Sequence, residues 1–192
     1  MGREFELKYQ GNDAVLEAIA AAFSGLRRIE METSYYDTSG GVLSARKMTL
    51  RLRRENHVTV CTLKTPLPDG SRGEWECIAD SMDEGLEKLL QLGAPEEIKE
   101  LAATGLQVCC SARFVRLATE VPTADGTAEL ALDRGVLLGG GKQTALCEVE
   151  VELKTGSDAA CAAFAANLAE AYGLVPQPDS KFRRAMALAQ EG

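Results

Sequence analysis

Two stretches decide the fold: Glu4-Phe5-Glu6-Leu7-Lys8 near the start of the chain and Glu148-Val149-Glu150-Val151-Glu152-Leu153 toward its end. Both alternate charged and apolar residues. Successive side chains on a strand point to opposite faces. Glu4, Glu6 and Lys8 therefore share one face, with Phe5 and Leu7 behind them. In the second stretch three carboxylates share a face and Val149, Val151 and Leu153 form the other. Thr49-Leu50-Arg51-Leu52-Arg53 puts two arginines on one face, Thr62 and Lys64 continue the pattern, and Glu74 and Glu76 follow on the next strand. A sheet with one packed and one solvated face alternates too, but its solvated face mixes signs because like charges side by side repel. Here same-sign charges cluster strand by strand, roughly 6.5–7 Å apart by the strand rise. Such rows become favourable when a counter-charge fills the gap: metal cations for the carboxylates, a polyanion for the arginines.

Working outward, period-2 segments at 3–9, 28–37, 48–55, 58–64, 72–79, 107–120, 127–134 and 145–154 predict eight strands. Short turns at Asn56-His57 and Asp125-Gly126 favour antiparallel neighbours, and Gly139-Gly140-Gly141 reads as a flexible connection before the last strand. Helices are expected over 13–23 after Asn12, over 82–92 after a Ser81–Glu84 capping box, from Pro95 to near Gly105, over 158–172 between Ser157 and Gly173, and over about 180–189. Eight antiparallel strands suffice for a barrel that holds a small ligand. With charged faces inward, the apolar faces need cover, which the amphipathic helices can supply. The expectation is a mainly β (α+β) protein: one domain over 1–192, an eight-stranded antiparallel β-barrel tunnel with flanking helices.

Composition limits the partners. The 192 residues are 45% hydrophobic and 26% charged, with a formal charge of −8 and a pI of about 4.8. A bulk field of that sign disfavours nucleic acid and anionic membranes, so any bound anion must meet a local concentration of Lys and Arg. Without a bilayer-length apolar run or a signal-peptide core, the expected location is the cytoplasm. Six cysteines lack C-x-x-C spacing and read as buried, reduced thiols. His57, the single histidine, falls in a turn and reads as a surface residue.

These residues together resemble the CYTH proteins, the triphosphate tunnel metalloenzymes. Glu4-x-Glu6-x-Lys8 resembles their ExExK signature. In order follow Tyr36-Asp37-Thr38, Leu50-Arg51-Leu52-Arg53, Thr62-Leu63-Lys64, Glu74-Trp75-Glu76 after Arg72, Ala112-Arg113-Phe114-Val115-Arg116, Leu132-Asp133-Arg134-Gly135, the Glu148–Glu152 strand, and Ser180-Lys181-Phe182-Arg183-Arg184. The ExExK pattern alone is weak; the ordered set spans essentially the whole chain.

The resemblance implies a tunnel that binds a triphosphate, with Mg²⁺ or Mn²⁺ on its acidic side. It makes Glu4, Glu6, Glu150 and Glu148 or Glu152 the metal side, and Lys8, Arg51, Arg53, Lys64, Arg116 and Lys181 the phosphate side. Of these, Glu4, Glu6, Lys8, Arg51, Arg53 and Glu150 are the expected catalytic set. Arg113 and Arg116 lie on opposite faces of a regular strand, and the motif favours Arg116. Asp133 is either a further metal or water-orienting group or a turn cap, and Tyr36 reads as a packing residue. The implied activity is hydrolysis of inorganic tripolyphosphate, a small-molecule substrate, because no aromatic-rich segment offers a base or thiazolium ring a stacking surface. The alternatives are a thiamine or nucleoside triphosphatase, a class IV adenylyl cyclase, and a non-catalytic polyphosphate-binding module.

Overall fold

All eight expected strands form, and a short ninth joins them in one antiparallel sheet. In chain order the elements are β1 (Glu6–Gln10), α1 (Asp13–Ala22), β2 (Arg27–Thr38), α2 (Val42–Ala45), β3 (Thr49–Glu55), β4 (Val58–Pro66), β5 (Arg72–Ile78), α3 (Met82–Gln91) and α4 (Glu97–Ala103). There follow β6 (Leu106–Pro122), β7 (Thr127–Gly139), β8 (Lys142–Thr155), α5 (Asp158–Tyr172), β9 (Val175–Pro176) and α6 (Lys181–Gln190). This computed structural model describes residues 5–67 and 72–190; Glu4 lies outside them.

The strand order is β5-β4-β3-β2-β6-β7-β8-β1-β9. Residues of β1 and of β5, near opposite ends of that order, line the same cavity, so the sheet curls round on itself. Among the described residues the two end strands do not pair with each other, and the barrel is not strictly closed. The ninth strand is the Pro-rich connector, pairing Tyr9 with Pro176 and Gln10 with Val175.

The Gly139–Gly141 segment is a tight hairpin rather than a flexible link. Both intervening residues, Gly140 and Gly141, have positive φ (58° and 75°), the pair of left-handed conformations that matches strand twist in a two-residue turn. The strands therefore pair up to Gly139–Lys142, longer than expected on both sides. Helix starts follow their caps: Asn12 accepts from the Val15 amide, Ser81 from Glu84 and Ser157 from Ala160.

Alternation sends the apolar residues to two outer cores. Val149, Val151, Leu130 and Leu132 pack with Leu16 and Ile19 of α1 and Cys161, Ala165 and Leu168 of α5. Leu50, Cys61, Leu63 and Trp75 pack with Leu43 of α2, Leu86 and Leu89 of α3, and Ile98 and Leu101 of α4. The last helix behaves differently. Ala185 of α6 joins Met31, Tyr35, Ala112, Phe114, Leu137 and Leu146, where Met31, Tyr35 and Phe114 are cavity-facing residues. Thus α6 seats against the inner face at one end of the curl. Gly139 makes this approach possible, since a Cβ there would lie 2.1 Å from the Ala185 carbonyl oxygen.

Candidate active site

The curl encloses a cavity of about 710 Å³. Its walls carry opposite signs because each strand brings its own charged face. Glu6 from β1, Glu150 and Glu152 from β8 and Glu129 from β7 form the acidic wall. Glu6 stands opposite Glu152, Glu152 opposite Glu129, and Lys8 opposite Glu150. Arg51 and Arg53 from β3 and Lys64 from β4 form the basic wall, with Glu74 and Glu76 of β5 beyond.

Part of that charge is already paired. Arg53 Nε donates to Glu55 at 2.6 Å, and Lys64 lies 3.4 Å from Glu74. Lys8 lies 3.9 Å from Glu6. Burial, reinforced by neighbouring Arg51, pushes the Arg53 guanidinium below its ordinary range. Arg51 is the exception: its Nε is buried with no hydrogen-bond partner, and among the described residues it forms no ion pair. An orphaned cationic donor facing a cavity is costly unless an anion arrives to meet it.

The end occupied by α6 holds a denser cluster. Asp133, Glu148 and Glu150 bring carboxylate oxygens within 4.8 Å of one another. Their common counter-ion is the Lys181 ammonium, 2.8 Å from Asp133 and 2.5 Å from Glu150 and also bonded to Glu148. Arg116 forks onto Asp133 with two bonds of 2.8 Å and reaches Glu150 as well; Arg184 bonds Glu148. Three cations thus balance three carboxylates. The Phe114 ring supports both Lys181, 5.3 Å from its centroid, and Arg116, at 5.9 Å. Burial opposes both charges, but Asp133 and Glu150 overcome it and hold Lys181 and Arg116 above their usual ranges. Glu150, buried but facing Lys181 and Arg116, is held well below the carboxylate range. Burial, with Glu150 beside it, raises Glu148 to about 7.

The fold brings Glu6, Lys8, Arg51, Arg53, Lys64, Arg116, Glu150, Glu152 and Lys181 to one cavity. Glu148 is fully buried, beyond the cavity lining, under Lys181 and Arg184. Arg116 faces inward and Arg113 is exposed. Tyr36 packs against the outer core, as expected. Asp133 caps no turn: it sits mid-strand, fully buried, opposite Glu148. Asp37 is the capping carboxylate instead, accepting from the Leu43 and Ser44 amides of α2. Sequence reasoning missed Glu129, although it shares a strand face with Asp133. It also missed an aromatic surface, since Tyr35, Phe114 and Phe182, scattered in sequence, all line the cavity.

An all-carboxylate wall suits a hard divalent cation such as Mg²⁺ or Mn²⁺, which takes oxygen ligands. Glu6, Glu150 and Glu152 supply such oxygen donors on the open cavity face, where Glu150 is bonded to Lys181 and Arg116 and Glu152 lies 2.9 Å from Lys154. The Asp133–Glu148–Glu150 trio has the same donors but already surrounds an ammonium.

A family model described as CYTH domain matches residues 2–186. Among curated proteins, an inorganic triphosphatase of Haemophilus influenzae is 29% identical over 126 residues, covering 65% of this chain and 36% of that protein. The chain therefore matches little more than a third of that relative's length. Among solved structures, a Hippeastrum protein proposed as an adenylyl cyclase and reported with a dominant triphosphatase activity superposes with a TM-score of 0.65 at 18% identity, covering 98% of this chain and 96% of its own. The PH1819 protein of Pyrococcus horikoshii gives a TM-score of 0.64 at 22% identity over 96% of this chain and 99% of its own. At these identities the two structures support the fold.

Proposed function

The chain belongs to the CYTH domain family, and on that premise we propose that it is a metal-dependent triphosphatase that hydrolyses inorganic tripolyphosphate, acting as one domain. The observation that carries this reading is the cavity between a carboxylate wall and a cationic wall, in which the buried Arg51 Nε has no partner. Glu6, Glu150 and Glu152 would hold Mg²⁺ or Mn²⁺, with Glu4 two residues before Glu6 in the sequence. Held there, such an ion would supply Lewis-acid polarisation of a phosphoryl oxygen and a more acidic water. Lys8, Arg51, Arg53 and Lys64 clamp the phosphate chain, and Arg116 and Lys181 bound its far end. As the terminal P–O bridge breaks and water adds to phosphorus, these cations neutralise the charge moving onto the leaving pyrophosphate. Glu148 anchors α6 in this scheme rather than binding metal, because unlike Glu150 it lies fully buried beyond the cavity lining, under Lys181 and Arg184.

A second reading, hydrolysis of an organic triphosphate, is favoured by the aromatic strip of Tyr35, Phe114 and Phe182 along the cavity. Phosphate release from tripolyphosphate, ATP and thiamine triphosphate, each with Mg²⁺ and Mn²⁺, separates the two. The first reading expects tripolyphosphate to turn over fastest. Comparable or faster turnover of ATP or thiamine triphosphate would sink it, and cyclic AMP among the ATP products would indicate a cyclase. Tight polyanion binding without any turnover would indicate a binding module.

A further inference from the structure

Cys109 and Cys110 are adjacent in β6, where a regular strand would send their side chains to opposite faces. The strand is not regular there. Tyr35 pairs with Cys110 but Tyr36 pairs with Val108, so Cys109 is the extra residue of a β-bulge, without a partner in β2. Bulges re-aim side chains, and here the two cysteines share one cluster rather than opposite faces, Cys110 within the core that seats α6 and Cys109 packed against it. Cys109 is partly exposed, with its thiol 3.3 Å from the Tyr35 carbonyl oxygen. Cys110 is buried in the cluster that seats α6, its sulfur 3.9 Å from the Phe182 carbonyl oxygen.

We propose that Cys109 and Cys110 form an oxidisable vicinal dithiol, a modification site at which a hydroperoxide converts Cys109 to a sulfenic acid and Cys110 closes a reversible disulfide. In the first step the Cys109 sulfur attacks the peroxide O–O bond, taking one oxygen and releasing an alcohol or water. In the second, the Cys110 sulfur displaces hydroxide from the sulfenic acid, and its proton leaves with that oxygen as water. Two thiols are oxidised by two electrons and one peroxide is reduced.

Selectivity follows from the thiols' surroundings. The neighbouring Cys110 thiol holds Cys109 below the ordinary thiol range, whereas burial pushes up Cys77, Cys147 and Cys161 and takes Cys61 to about 12. Its neighbour Cys109, together with burial, raises Cys110 itself. An accessible, acidic thiol beside a resolving one is the arrangement that oxidises first. Reversibility follows from ring strain. Adjacent Cα atoms stand about 3.8 Å apart, short of the roughly 4.4–6.8 Å an unstrained disulfide spans, and strained disulfides are easily reduced. The chemistry takes place where α6 packs, and it does not depend on what the cavity hydrolyses.

The test treats the reduced full chain with stoichiometric hydrogen peroxide and maps cysteine peptides by mass spectrometry, with dimedone present to trap sulfenic acid. The expected first product is the peptide containing both Cys109 and Cys110, short of two hydrogen atoms and restored by thioredoxin-type dithiols. Cys110→Ser should instead accumulate dimedone-trapped Cys109, and Cys109→Ser should leave Cys110 reduced while the other thiols react at their own slower rates. Earlier oxidation of Cys61, Cys77, Cys147 or Cys161 in the unsubstituted chain would overturn the proposal. So would oxidation of Cys110 at an undiminished rate in Cys109→Ser.

Discussion

Arg51 and Lys181 line the same cavity, but their charges are in opposite states. Lys181 is surrounded by Asp133, Glu148 and Glu150, while Arg51 has a buried nitrogen with nothing to bond. The first is committed to the fold and the second is available to a ligand. Arg51→Ala should therefore cost little stability but lower kcat/KM for tripolyphosphate by about 10- to 100-fold, the worth of one charge-assisted hydrogen bond. Steady-state kinetics alongside a melting curve checks both halves. Lys181→Met should cost stability as well as activity, because it removes the cation shared by Asp133, Glu148 and Glu150 and leaves only Arg116 and Arg184 against three buried carboxylates, at a cost of about 3–5 kcal/mol. Because those oxygens lie within 4.8 Å of one another, Mn²⁺ should restore part of the lost melting temperature in this variant and far more than in the parent. At this scale the sequence is only partly legible. Period-2 alternation places Glu148, Glu150 and Glu152 on one face but cannot tell which height along the tunnel each occupies. That height decides whether a carboxylate meets the cavity or the helix that fills its end, and only the docking of α6 sets it.

Strands were readable because their faces differ so sharply in polarity, and the capped helices because Asn12, Ser81 and Ser157 announce them. What escaped was geometry carried by glycine and by strand irregularity. Three consecutive glycines imply freedom, yet here they build a two-residue hairpin that extends β7 and β8 beneath α6. The bulge at Cys109 leaves no mark on the alternation. The α6 helix itself looks like one more amphipathic cover, but its basic face finds carboxylates inside the sheet rather than water outside. Gly139 tests that account. Gly139→Ala puts a methyl group where the Ala185 carbonyl now sits, and overpacking of this kind costs about 1–3 kcal/mol. Hydrogen exchange should then show α6 amides deprotected while those of α1 and α5 keep their protection. Uniform deprotection would mean that α6 is not a separately docked element.

For the whole molecule, the buried ion cluster sets the pH range over which the fold is firm. The pKa of Lys181 is higher in the folded chain than in the unfolded one. Its contribution is thus complete below about pH 10.4, the unperturbed lysine value, and disappears as pH rises through the folded value. Glu150 acts oppositely, contributing fully above about pH 4.3 and losing that contribution as pH falls through its depressed folded value. Melting temperature against pH should therefore fall at both ends, and Lys181→Met should make the alkaline limb shallower without abolishing it, because buried thiols and the Tyr35 phenol, also raised by burial, still contribute to it. The cavity supplies the last test. An overall charge of −8 repels polyanions, so a triphosphate gains its binding free energy only in the folded state, where Arg51, Arg53 and Lys64 converge. Ligand at about 100 times its dissociation constant adds roughly 2.7 kcal/mol by mass action, or about 5–10 °C for a domain of this size. Tripolyphosphate in the millimolar range should produce that shift and orthophosphate at equal concentration should not, since only a chain of phosphates can engage Arg51, Arg53 and Lys64 together with Lys8, Arg116 and Lys181 lining the rest of the cavity. Equal shifts from the two anions would reduce the basic wall to a general anion site.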